Sequence, residues 1–141
     1  RRMYPRRRAW CVFQPHQASR TARLLDELAA SLQNADRVVV SRVFRAREPA
    51  RGACQVTAVD LARRVRALGA WTADVFDDEP IRELLAHELR PGDVLIIMGA
   101  GDIWKIGHGL IHGFRENRAA GGRGDRLVEL IFGAVPRKRV V

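Results

Sequence analysis

Four short apolar runs, each followed by a segment of helical spacing, constrain this chain more than any other feature. The runs are Ala9–Phe13, Arg37–Phe44 around Val38-Val39-Val40, Thr72–Phe76, and Asp93–Met98 with Val94-Leu95-Ile96-Ile97. Strands that are apolar nearly throughout suit a sheet covered on both faces. The spacing predicts helices over about Arg20–Gln33, Thr57–Leu68, Asp77–Leu89 and Asp102–Asn117. In the first, Leu24, Leu25, Leu28, Ala29 and Leu32 recur at three- and four-residue steps and make one buried face. Gly69 is a natural stop for the second. Asp77-Asp78-Glu79-Pro80 suits the start of the third, where acids meet the positive helix end. Crossovers of this length imply parallel strands with helices on both sides, an α/β domain.

The chain has 141 residues, enough for one domain with a real core. No apolar run approaches the ~20 residues of a membrane span, so no membrane partner is expected. The basic start, Arg1 to Arg8, is followed by no apolar leader core, which argues against a signal peptide. That start, without an initiator methionine, also suggests a fragment of something longer. After Arg118 the composition shifts. Ala119-Ala120-Gly121-Gly122-Arg123-Gly124 reads as a linker, Leu127–Phe132 as a helical turn or two, and Pro136-Arg137-Lys138-Arg139 as a basic tail. Residues 1–118 are therefore expected to form the domain and 119–141 a poorly ordered appendage. Cys11 and Cys54 stand alone, outside any CxxC pair, which fits a reducing cytoplasm and gives no metal motif.

The net charge of +9 invites a nucleic-acid reading. All but Lys105 and Lys138 of the 25 basic residues are arginine, and they are spread through every expected helix instead of forming one stripe. Nucleic acid is thus not expected as the main partner, because net charge alone carries little specificity.

The turn from Gln14 to Thr21 carries the chemistry. In open α/β sheets ligands gather where strands end and helices begin. His16, Gln17, Ser19 and Arg20 crowd that junction and can meet a carboxylate or a phosphate. Arg20 can present its fork with two parallel hydrogen bonds. The same residues also have a structural reading, with Ser19 capping, Arg20 solvated and His16 packed. Spacing alone does not separate the two.

Phe-Gln-Pro-His-x-x-Ser-Arg-Thr at residues 13–21 resembles the C-terminal domain of the Mur ligases, in the form found in their alanine-adding members. Phe44-Arg45-Ala46-Arg47-Glu48 is similar to that family's aromatic-x-Ala-x-Glu loop. Pro91-Gly92-Asp93 and Met98-Gly99-Ala100-Gly101-Asp102-Ile103 resemble its Pro-Gly-Asp strand start and Gly-Ala-Gly-Asp turn. The likeness runs over about residues 6–118. It implies a Rossmann-like three-layer domain with a mostly parallel sheet, whose first family strand, bearing Asp-Asp-Tyr-x-His-His-Pro, is missing here. Marginal stability is expected from that loss.

The resemblance further implies a part in ATP- and magnesium-dependent joining of UDP-N-acetylmuramate to L-alanine through an acyl phosphate, in the cytoplasm. The remaining ligase domains would be the partners. His16, Arg20, Gln17 and Ser19 would face the amino acid, and Gly99, Gly101 and Asp102 the nucleotide edge. Gln17 and Ala18 stand where the family often has arginine and tyrosine. No Gly-x-x-x-x-Gly-Lys-Ser/Thr loop occurs in the chain, so no catalytic residue is assigned and no phosphate transfer is expected from it alone.

Two weaker patterns remain. Gly99-Ala100-Gly101 fails the dinucleotide fingerprint, since Trp104 replaces the third glycine. Its simpler reading is a tight turn, with Asp102 capping the next helix. His108, His112 and Glu116 share a helix face but span ~12 Å along it, too far for one ion, so no metal site is expected.

Overall fold

The computed structural model describes residues 3–45, 56–74, 77–119 and 129–133. In chain order these form β1 (Ala9–Gln14), α1 (Ala18–Arg23), α2 (Leu25–Leu32), β2 (Arg37–Val40), α3 (Ala58–Ala67), β3 (Trp71–Asp74), α4 (Asp78–Glu88), β4 (Val94–Gly99), α5 (Trp104–Ala119) and β5 (Glu129–Gly133). The sheet order is β3-β2-β1-β4-β5 and every pairing is parallel. The expected Rossmann-like α/β architecture is what forms. β3 and β5 are its edges.

Alternation along the strands sorts the core into two layers. Trp10, Val12, Val39, Leu95 and Ile97 face Ile81 and Leu85 of α4 and Ile106 and Leu110 of α5. Cys11, Val38 and Val40 face Ala29 and Leu32 of α2 and Leu61, Ala62 and Val65 of α3. Each fully buried leucine or isoleucine contributes about 1.5–3 kcal/mol relative to exposure. The local signals agree with this packing. Thr57 and Asp60 form a capping box at the start of α3. Gly69, at φ +90°, ends that helix, its N–H donating to the Arg66 carbonyl at 2.9 Å. Asp77, Asp78 and Glu79 open α4, as expected.

Three expectations change. The first helix is not continuous, because Leu24 leaves helical geometry at φ −113°, ψ 22°. Hydrogen bonds on either side, Leu24 N–H to Arg20 and Leu28 N–H to Leu24, keep the two pieces joined as a kink. Residues Glu129–Gly133, expected within a helical turn, are instead a strand on the open edge of β4. An apolar run of that length fits either state, and the unpaired edge of β4 decides it. The second strand stops at Val40 instead of reaching Phe44, although Phe44 makes one parallel bridge to His16. Most of the arginine-bearing loop after it, together with Cys54, lies outside the described residues.

Candidate functional site

The strand order reverses direction between β1 and β4. From β1 the chain winds outward to β2 and β3, then crosses back to β4. That switch point opens a crevice at the carboxyl ends of the strands, where doubly wound sheets bind ligands. A cleft of about 320 Å³ lies there, lined by residues that include Phe13, His16, Arg20, Leu24, Leu28 and Met98. The size suits a small molecule at the lower end of ligand pockets. Phe13, Leu24, Leu28 and Met98 make its walls apolar, the two leucines being four residues apart and so on one side of the α1–α2 segment.

The polar groups come from the turn after β1. Its shape is set by the chain that follows β2. Phe44 N–H donates to the Pro15 carbonyl at 2.7 Å, and Gln17 N–H donates to the Phe44 carbonyl at 2.8 Å. His16 is thereby held between two ladder bonds, half-buried at the cleft. Its imidazole lies nearly parallel to the Phe44 ring, with centroids 6.0 Å apart and planes at 22°. Gln17 occupies the position before α1 with φ 60°, ψ 131°, a conformation unusual for a residue with a side chain. Its carbonyl accepts from both the N–H and the hydroxyl of buried Thr21, at 2.9 and 2.7 Å. Arg20 is exposed on α1 and reaches the cleft as its rim. α1 has only six residues, so the positive charge available to an anion here is the guanidinium and not a helix end.

His16, Arg20 and Gly99 line one cleft, although the resemblance assigned Gly99 to a nucleotide edge and not to the amino-acid residues. Gln17 shapes the turn beside it. Ser19 is the second residue of α1, exposed, and not its cap, because the helix begins two residues earlier than its sequence spacing implied. Asp102 is likewise not adjacent to α5. Buried Ile103 intervenes, and the Asp102 carboxylate lies 3.5 Å from the Lys105 ammonium. The glycines of the turn are needed for close packing. A Cβ at Gly99 would come within 2.7 Å of Gln14 Cβ and 2.8 Å of Ile103 Cγ2. On α5, His108 packs edge-to-face on Trp104 at 5.2 Å, while the Glu116 side chain is outside the described residues.

Gln14 and Phe44 carry more of the site than the sequence pattern implied. Gln14 is 1 % exposed, and its Oε1 accepts from the Gly101 N–H at 3.1 Å, tying the end of β1 to the turn after β4. A lone amide ending an apolar strand was the only signal of that role in the sequence.

The family described as "Mur ligase, glutamate ligase domain" matches residues 1–101 of the chain. Among curated relatives, the UDP-N-acetylmuramate–L-alanine ligase of Lachnospira eligens is 40 % identical over 108 residues, 77 % of this chain and 23 % of the relative. That of Symbiobacterium thermophilum is 45 % identical over 107 residues, 74 % and 22 % of the two chains. That of Clostridium novyi is 39 % identical over 104 residues, 74 % and 22 %. The chain thus spans less than a quarter of the length of the relatives it matches.

Proposed function

The chain belongs to the Mur ligase C-terminal, glutamate ligase domain family, and from that premise we propose that it serves as the C-terminal domain of an ATP-dependent UDP-N-acetylmuramate–L-alanine ligase acting in the cytoplasm. The observation that carries this reading is the cleft at the β1–β4 switch point, with Arg20 at its rim, His16 beside it and apolar walls sized for a small side chain. The guanidinium pairs with the carboxylate of L-alanine, and His16 offers a ring nitrogen to the same ligand. A charge-assisted contact of this kind is worth about 1.5–3 kcal/mol once water is excluded. The methyl group of alanine rests against Phe13, Leu24 and Met98. The amine is then presented to the muramoyl phosphate held by the other ligase domains; its attack forms the amide bond and breaks the acyl C–O bond to phosphate, with inorganic phosphate leaving and the amine's proton passing to solvent. Gly99, Gly101 and Asp102 border the same edge and face the nucleotide as the domains close.

ATP and magnesium belong to those other domains. Among the described residues no three His, Cys, Asp or Glu side chains stand together as a metal site, and the sequence carries no phosphate-binding loop. In this reading the chain's own part is to bind and orient the amino acid.

The test is Arg20→Ala in an active ligase carrying this domain. The KM for L-alanine should rise 10- to 100-fold or so with the KM for ATP unchanged, and the fold should persist because Arg20 is exposed. An unchanged alanine requirement would refute the assignment.

A further inference from the structure

The glycine turn after β4 and the histidine turn after β1 are far apart in sequence, yet one aromatic ring joins them. The Phe44 ring lies nearly parallel to the His16 imidazole, and its backbone is bonded to Pro15 and Gln17, the residues on either side of that histidine. The edge of the ring meets Gly101. A Cβ built at Gly101 would lie 2.6 Å from Phe44 Cδ2, 2.9 Å from Phe44 Cε2 and 2.6 Å from Gln14 Oε1. No real methyl group fits at those distances, so an added side chain must displace the ring or the turn. The turn itself has little room to retreat, because its Gly101 N–H is bonded to the buried Gln14 amide.

The geometry points to Phe44 and Gly101 as positioning residues for His16. Gly101 leaves the space that the Phe44 ring occupies, and the ring sets where the imidazole stands at the cleft. Gly101, which is not among the residues lining the cleft, acts on the amino-acid site in this way through the ring. The inference rests on the proposed ligase function only for the identity of that ligand, a small amino acid.

Nuclear magnetic resonance on the isotopically labelled chain tests the relay without substrate. The His16 ring signals, assigned through His16→Gln, should shift in Gly101→Ala and in Phe44→Leu. They should stay in place in Phe44→Tyr, which keeps the ring. In the Phe44→Leu background, Gly101→Ala should add little further shift, since the relay is already cut. Unmoved His16 signals in Gly101→Ala, or the same displacement with and without the Phe44 ring, would overturn the inference.

If Gly101→Ala does not fold, the His16 side-chain couplings decide. They should become averaged in Phe44→Leu and stay single-valued in Phe44→Tyr, and identical couplings in the two variants would count against the relay. In an active ligase carrying this domain, Gly101→Ala should raise the KM for L-alanine roughly tenfold, whatever it does to the KM for ATP at the nucleotide edge. A rise in the KM for ATP with an unchanged KM for L-alanine would overturn the relay and leave Gly101 to the nucleotide alone. Failure of the Arg20 test would remove the amino-acid reading and leave the ring measurements standing.

Discussion

Arg8 grips Asp93 across 85 positions of chain, with Nη2 donating to Oδ2 at 2.7 Å and Nε donating to Oδ1 at 3.0 Å. The pair ties the amino end of β1 to the amino end of β4, opposite the cleft. Asp93 also accepts from the buried Trp10 indole N–H at 3.2 Å and from the Arg90 N–H at 2.9 Å. Gly92, at φ +89°, allows the turn that delivers it. The Pro-Gly-Asp stretch is therefore a clamp on the sheet.

Burial pushes the Asp93 carboxyl upward, but the hydrogen bonds from Arg8, Arg90 and Trp10 outweigh it and hold the group below the ordinary carboxylate range. A carboxyl lowered in the folded state stabilises fully above its unfolded value of about 3.9, and that contribution disappears as pH falls through the folded value. Urea melts at falling pH should show this loss on the acid side. Asp93→Asn should flatten it, and Asp93→Ala should cost about 3–5 kcal/mol at neutral pH by removing the acceptor of the buried Trp10 N–H and the Arg90 N–H and leaving Arg8 only the Glu88 carbonyl. A neutral-pH loss below 1 kcal/mol or so would mean that the clamp is dispensable.

Two glycines on neighbouring elements should respond in opposite directions to the same change. Gly99→Ala pushes a methyl into Gln14 and Ile103 and should destabilise by about 1–3 kcal/mol. Gly113→Ala, on α5 with nothing within 4 Å of the new methyl, should stabilise by about 0.5–1 kcal/mol through reduced chain entropy. Thermal melts of the two variants check both signs.

Gln17 holds a left-handed backbone that glycine adopts freely. Releasing about 1–3 kcal/mol of strain outweighs the entropy cost of glycine, so Gln17→Gly should stabilise the fold by about 1 kcal/mol. If the strained turn serves to aim His16, the same variant should weaken L-alanine binding in an active ligase while its melting temperature rises. A fall in melting temperature would show that the Gln17 side chain contributes more than its backbone costs.

Cys11 is buried within β1, and burial alone pushes its thiol up to about 12. With Cys54 replaced by serine, the folded chain should resist thiol reagents at pH 8 and react promptly in denaturant, since the thiolate is the reactive form. Rapid labelling of the folded chain would show that β1 opens readily.

Much of the scaffold is legible in the sequence. Val38-Val39-Val40 and Val94-Leu95-Ile96-Ile97 read as covered strands, and Thr57, Gly69 and Asp77 mark helix ends through chemistry that acts within a few residues. The placement of His16 and Arg20 at a strand-to-helix junction is equally readable, because the junction is contiguous in the chain. What escapes such a reading are the choices made between distant segments. β5 is a strand because β4 offers it an unpaired edge, and Phe44, beyond β2, bridges to His16, beyond β1.

Composition and periodicity alone determined that this chain makes a parallel, doubly covered sheet, because a side chain's preference for one face or one cap is settled by its neighbours in sequence. Only the folded molecule decided that the Phe44 ring lies between His16 and Gly101 and that the Gly101 N–H reaches Gln14. Those four come from the ends of three strands, and the contacts among them exist only once the sheet has brought those ends side by side.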